Sequence, residues 1–284
     1  MKIIDNLDLT NYNSYRVSAQ CRFAYFPESE EDVVNFFIQN KDFILLGSGH
    51  NIILSKSYYE TPMLIFNGSF SSIKVLDNNT LEIEAGAMMW DVADVALQHS
   101  LSGVEIFHDI PSSAGGAVVM NAGASGEEIK DVLTKVRYLD LVDNQIKEIH
   151  KEDISFEYRN SFFQKNTDKI VLKAWLKLNV GDKEAISNKM ETIKAQRWAK
   201  QPKEFYNAGS VFKRPPGYFV GALMDELSLK GFTIGGAKIS EKHGGFIVNF
   251  NNATGSDILQ IIDEVKRRVR SHIDVDLEVE QRVI

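Results

Sequence analysis

Ile110-Pro111-Ser112-Ser113-Ala114-Gly115-Gly116-Ala117-Val118-Val119-Met120-Asn121-Ala122-Gly123-Ala124-Ser125-Gly126 is the most distinctive segment of the chain. Nearly every side chain in it is small, with two runs of glycine and alanine. Such a backbone can approach a flat or phosphorylated ligand closely. A helix or strand crossing at short range needs the same composition, so the residues alone leave both readings level. Upstream, Leu46-Gly47-Ser48-Gly49-His50-Asn51 follows an apolar run. Its glycines suit a phosphate cradle, but Ile52 stands where a dinucleotide-binding G-x-G-x-x-G needs its third glycine, which favours an ordinary tight turn.

Three further segments carry candidate chemistry. Phe156-Glu157-Tyr158-Arg159-Asn160-Ser161 places an arginine among aromatics, which sequence alone reads as a surface ion-pair partner before an inward anion binder. Tyr206-Asn207-Ala208-Gly209-Ser210-Val211-Phe212-Lys213 offers Ser210 as a turn hydroxyl or a positioned proton donor, and it lacks the G-x-S-x-G of a serine nucleophile elbow. Glu278 and Glu280 lie two apart on an expected closing strand, Asp276 to Val283, which would put both carboxylates on one face. Solvent exposure is the default expectation for such a pair.

Between these segments the pattern is α+β. A helix is expected from Ser29 to Gln39 with Ser29 as N-cap, then strands at Asp42–Leu46, Met63–Phe66, Ser72–Leu76 and Thr80–Ala85, and a helix at Met88–Ser100. Strands at Leu133–Val142, Gln145–His150 and Ile170–Val180 follow, then a helix at Lys183–Lys200 that Gln201-Pro202 stops. Beyond that boundary a helix is expected at Tyr218–Leu227, strand-like pieces near Phe232 and Phe246, and an amphipathic helix at Ser256–Ser271 capped by Asn252–Ser256. No internal repeat or low-complexity tract interrupts the 284 residues.

Composition narrows the functional class. Hydrophobic residues make up 44% and charged residues 25%, as expected of a globular chain with a sizeable core. The single cysteine, Cys21, excludes an internal disulfide and a multi-cysteine metal site, and a buried apolar role is expected for it. No metal is expected. The N-terminus lacks a signal pattern and no apolar run reaches membrane-span length, so a cytoplasmic protein without membrane attachment is expected. A net charge of −7 argues against nucleic-acid binding. Against that acidic background, Lys194 to His243 holds nine Lys and Arg and four acids, a local +5 that would suit an anionic ligand or simply a solvated face.

Taken in order, LGSGHN, IPSSAGGAVVMNAGASG, YRNSFF, NAGSVFK, IGGAKISEKHGGFIVN and LEVEQRVI resemble the signatures of the UDP-N-acetylenolpyruvoylglucosamine reductase family, over about Tyr12 to Ile284. The length and the chain end just after LEVEQRVI look like the shorter of that family's two architectures. The resemblance implies an α+β FAD-binding fold of the vanillyl-alcohol-oxidase (PCMH) type, in two subdomains at 1–67 and 68–200, with a C-terminal α+β substrate domain at 201–284. It implies FAD as cofactor, NADPH as reductant, a small nucleotide-sugar substrate, and no obligatory protein partner. FAD would be held by Gly47, Ser48, Gly49, His50, Asn51, Ser113, Gly115, Gly116, Asn121 and Gly126. Arg159, Ser210 and Glu280 fall on the family's catalytic arginine, proton donor and glutamate, and Asn207, Lys213, Arg214, Lys238 and Lys242 on its substrate contacts.

The chain departs from the family pattern at Ser18-Ala19, His50, Asp109, Ser112 and Arg214. These departures leave two alternatives beside the reductase: a flavin oxidoreductase acting on another nucleotide sugar, or a flavin-binding module without turnover.

Overall fold

The computed structural model describes residues 1–284, which divide into two compact units. The first comprises Met1–Ile4, Ala24–Ser48 and Pro62–Gln196; the second comprises Asp5–Phe23, Gly49–Thr61 and Arg197–Ile284.

In the first unit, helix α1 (Glu30–Gln39) begins where Ser29 predicts, its hydroxyl accepting from Asp32 N at 3.1 Å. The chain then enters a short parallel ladder in which Ile44–Leu46 pairs with Met63–Ile65. A five-stranded antiparallel sheet follows in the order Gln145–His150, Leu133–Asp140, Lys169–Lys177, Thr80–Glu84, Ile73–Leu76. Leu81 and Ile83 are buried while their neighbours are not, because successive side chains on a strand point to opposite faces. Helix α2 (Met89–Gln98) lays Met89, Val92, Ala93 and Ala96 into the same core.

The glycine-rich stretch is not one loop. Ala114–Met120 forms a third helix, α3, with Ser113 as N-cap and Asn121 in the left-handed region (φ 46°) as C-cap. Gly123–Ala124 and Glu127–Glu128 then pair as a hairpin whose two turn residues, Ser125 (φ 56°) and Gly126 (φ 90°), both have positive φ. That is the backbone a tight two-residue hairpin requires, and glycine adopts it without strain. Short helix α4 (Phe162–Lys165) and the long helix α5 (Lys183–Lys200) complete the run, α5 stopping at the residues predicted from Gln201-Pro202.

In the second unit, helix α6 spans Val220–Glu226 and α7 spans Gly255–Ile273. Helix α7 buries Ile258, Ile261, Ile262, Val265 and Val269, an i, i+3, i+4, i+7 stripe, each worth about 1.5–3 kcal/mol when removed from water. Its N-cap is Thr254, in a reciprocal capping box with Asp257, so the helix starts one residue before the expected Ser256. Thr233–Ile234, Ala237–Ile239 and Ile247–Asn249 form a three-stranded antiparallel sheet. The expected closing strand Asp276–Val283 is much shorter. Only Arg282–Val283 is a strand, parallel to Ile52–Ile53, and upstream a single antiparallel bridge joins Phe212 and Val279. The side chains there are anchored individually instead of by a continuous ladder.

Cys21 is fully buried and its thiol is pushed up to about 11 by that burial, as an inert apolar role requires. No helix is long and apolar enough to cross a membrane.

Candidate functional site

In the first unit, the two glycine-bearing segments meet through a pair of buried serines. Ser113 N donates to Ser48 Oγ at 2.9 Å, and Ser113 Oγ accepts from Gly116 N at 3.3 Å. A Cβ added at Gly47 would stand 2.7 Å from Ser113 Oγ, so a larger residue there would have to displace that hydroxyl. Gly115 serves a different purpose: its N–H donates to Ala85 O at 2.8 Å, and an added Cβ would lie 3.1 Å from Ala85 Cβ. The close-crossing reading of the small residues therefore applies at Gly115. Gly115 lets α3 cross the strand region closely, whereas Gly116 is partly exposed and Gly126 sits at an open hairpin tip.

Asn121 joins this region to the arginine segment. Fully buried, it donates through Nδ2 to Glu128 Oε2 and Glu157 O, each at 3.0 Å. Glu157 and Asn160 exchange main-chain hydrogen bonds around a tight turn with Tyr158 and Arg159 at its tip. Ser161, also fully buried, caps α4 and donates its hydroxyl to Val119 O at 2.7 Å, tying that turn to α3. Arg159 takes φ 52°, a conformation costly for a residue with a Cβ, and its Nη2 donates to Gly123 O at 2.8 Å. It is half-buried, and one end of its guanidinium is held by a main-chain carbonyl. Glu128 and Ser161 were not singled out as supports from sequence; the glutamate seven residues after Asn121 and the serine after YRN were the available signals.

Within the second unit, the remainder of the first loop and the chain end are brought together. Asn51 Nδ2 donates to Glu280 O at 3.2 Å, and Arg282 N to Asn51 O at 3.0 Å. Glu280 N donates to Val211 O and Lys213 N to Glu278 O, so the Ser210 segment and the Glu280 segment run side by side. Ser210 is exposed and Glu280 partly buried; Glu278 is exposed and bound to Lys213 at 2.6 Å. The two glutamates, expected to share one environment, thus differ. The Asn207 side chain is committed to its own loop, donating to Pro202 O and Phe205 O and accepting from Gly209 N. His50 is held at a pKa of about 4, first by desolvation and then by the charge of Arg16.

Four lysines of the basic segment are paired with carboxylates. Lys213, Lys230, Lys238 and Lys242 pair with Glu278, Asp225, Glu241 and Glu204. Lys238 Nζ also lies 4.9 Å from the Phe250 ring centre and 5.5 Å from that of Phe205, and Arg214 lies over Phe219 at 4.6 Å. Lys238 and Lys242, with Phe205, Ser240 and Val248, line a small cavity of about 70 Å³.

The family described as FAD binding domain matches residues 22–149, and that described as UDP-N-acetylenolpyruvoylglucosamine reductase, C-terminal domain, matches 201–284. The UDP-N-acetylenolpyruvoylglucosamine reductase of Francisella tularensis subsp. tularensis is 39% identical over 280 residues, covering 98% of this chain and 99% of the relative. The chain belongs to the UDP-N-acetylenolpyruvoylglucosamine reductase family. A second member, from Caldanaerobacter subterraneus subsp. tengcongensis, is 38% identical over 289 residues, covering 100% of this chain and 94% of the relative. Among solved structures, the family's reductase from Thermus caldophilus matches with a TM-score of 0.83 at 30% identity, covering 100% of this chain and 99% of that one. The fold is accordingly that of the family: an α+β FAD-binding part of the PCMH type and the reductase C-terminal domain.

The residues present fit FAD. Asn121 Oδ1 and Ser112 Oγ are buried polar atoms with no hydrogen-bond partner in the chain. A buried polar atom left unpaired costs about 1–3 kcal/mol, and a flavin ring supplies both N–H donors and carbonyl acceptors to relieve it.

Proposed function

We propose that this chain is the FAD-dependent reductase that converts UDP-N-acetylglucosamine enolpyruvate to UDP-N-acetylmuramate with NADPH in peptidoglycan precursor synthesis. The match to reductases of this name over nearly the whole of both chains carries the reading, and the orphaned acceptor of Asn121 supports it. The enzyme acts in the cytoplasm on a free nucleotide sugar, without nucleic acid, membrane or obligatory protein partner. Three functional segments are assigned: 1–67 and 68–200 for FAD, and 201–284 for substrate.

Bound FAD supplies a two-electron relay between NADPH and the enolpyruvyl double bond. Gly47, Ser48, Ser113, Gly116 and Asn121 would hold it, with Gly115 and Gly126 shaping the backbone. Gly49, His50 and Asn51 are assigned to the same cofactor. Reduction of the substrate adds hydride at C3 and a proton at C2, and negative charge grows on the carboxylate as hydride arrives. The Arg159 guanidinium, fixed through Gly123 O, stabilises that charge. Glu280 in its protonated form does the same, and the exposed Ser210 hydroxyl delivers the proton to C2. Lys213, Arg214, Lys238 and Lys242 bind the diphosphate, exchanging their present carboxylate and ring contacts for phosphate oxygens, and Asn207 keeps the intervening loop in shape.

Anaerobic NADPH should bleach the flavin absorbance of the purified enzyme, and UDP-N-acetylglucosamine enolpyruvate should restore it. Ser210→Ala should bleach normally and fail to recover. Reduced enzyme that is not reoxidised by this substrate would overturn the assignment.

A further inference from the structure

Gln281 is almost fully buried, next to Glu280 in sequence, and nothing in the proposed reaction uses it. Its Nε2 donates to three consecutive main-chain carbonyls, those of Ala208 (3.0 Å), Gly209 (3.3 Å) and Ser210 (3.3 Å). Three successive carbonyls turn to one side only where the chain curls, and Gly209 at φ 80° provides that curl. The Gln281 Oε1 accepts from the Tyr15 hydroxyl at 2.9 Å, and Tyr15 is itself fully buried. The carbonyls can only accept, so the amide must point its NH₂ at them and its oxygen at Tyr15, which must donate. Burial pushes the tyrosine hydroxyl well above its ordinary pKa, so that donor is permanent. Asn249 in turn fixes the Tyr15 main chain, donating to its carbonyl at 2.7 Å.

We infer that Tyr15 and Gln281 are positioning residues for the reaction: the oriented amide grips the main chain of the Ser210 loop from inside and thereby aims the exposed Ser210 hydroxyl. The inference rests on the proposed role of Ser210 as proton donor. A loop residue that transfers a proton must hold its hydroxyl within hydrogen-bond reach of the reacting carbon, and displacement by about 1 Å costs on the order of 100-fold in rate. The geometry makes orientation, not charge, the contribution of this pair.

The test separates the two half-reactions in stopped flow. Gln281→Met keeps the volume and removes the amide; Tyr15→Phe keeps the ring and removes the donor. Both should slow flavin reoxidation by UDP-N-acetylglucosamine enolpyruvate, by about 100-fold and 10-fold respectively, and leave flavin reduction by NADPH within twofold. Gln281→Glu adds a signature that a merely structural residue would not produce. Facing carbonyls and Tyr15, the introduced carboxyl can donate only while protonated, so reoxidation should approach the native rate at low pH and fall as the pH rises through its elevated pKa. Equal slowing of both half-reactions, or none in Tyr15→Phe with a flat pH profile in Gln281→Glu, would overturn the inference. Ser210→Ala, run alongside, distinguishes the two failures. If it reoxidises normally, the Ser210 assignment falls; if it does not while the Gln281 and Tyr15 variants are unaffected, only the positioning role falls.

Discussion

The side-chain amide of Asn121 donates to the main-chain carbonyl of Glu157 at 3.0 Å, so the residue that ends helix α3 also holds the turn that presents Arg159. One buried side chain therefore shapes both the end of α3, in the proposed cofactor cradle, and the base of Arg159, the proposed catalytic arginine. Its second bond, to the Glu128 carboxylate, leaves Oδ1 as the group available to a ligand.

Asn121→Ala is expected to cost about 1–3 kcal/mol, because Glu157 O and the Glu128 carboxylate each lose a buried donor. Thermal unfolding of the apoprotein measures this, and flavin-fluorescence titration should show weaker FAD binding beyond the stability loss. An unchanged unfolding midpoint would deny the link between α3 and the Glu157 turn.

Arg159→Lys retains the charge but not the fork that reaches Gly123 O and that, in the proposed role, would also engage a substrate carboxylate. Substrate-driven flavin reoxidation should fall by about 100- to 1000-fold, with NADPH-driven reduction little changed. Equal rates for native and variant enzymes would remove Arg159 from the chemical step.

Gly49 and Gly126 both take positive φ, yet their replacement should differ in severity. A Cβ at Gly49 would lie 2.0 Å from Tyr12 O, whereas at Gly126 it would meet nothing within 4 Å. Gly126→Ala should cost only the left-handed backbone strain, roughly 1–2 kcal/mol. Gly49→Ala must also displace main chain, so denaturant midpoints should place it clearly below Gly126→Ala. Equal midpoints would show that the 46–51 loop relaxes freely.

His50 makes stability pH-dependent with a determined sign. Its folded pKa, about 4, lies below the ordinary value of 6.5, so between these limits the unfolded chain binds the proton and the folded chain does not. The stabilisation from a neutral His50 is present above pH 6.5 and lost as pH falls toward 4, by at most about 3 kcal/mol. Comparing the unfolding midpoints of native protein and His50→Gln from pH 7.5 to 4.5 checks this: the native midpoint should fall further. Parallel curves would show that His50 titrates normally when folded.

Much of the fold was legible because its signals are local. The Ser29 cap, the alternation of Leu81 and Ile83, the proline stop after Lys200 and the apolar stripe of α7 each depend on residues within a turn or two of one another. The closing strand was over-read because the residues from Asp276 to Val283 do not reveal that ladder pairing is confined to Arg282–Val283, with a single bridge at Val279 upstream. The support of Arg159 was not legible because Gly123 O lies 36 residues away, beyond any local pattern.

Local residue order sets the α+β succession of elements, the location of the small-residue stretch and the inventory of groups able to bind an anion or move a proton. Tertiary structure alone divided that stretch into a helix, its left-handed cap and a hairpin, and gave Gly115 to packing while leaving Gly116 partly exposed. It alone brought Tyr15 to Gln281 across 266 residues and turned the carbonyls of Ala208, Gly209 and Ser210 toward one amide. The physical reason is range. Propensity and periodicity act along the chain, whereas hydrogen-bond orientation in a buried site depends on which distant atoms the packed core leaves within about 3 Å.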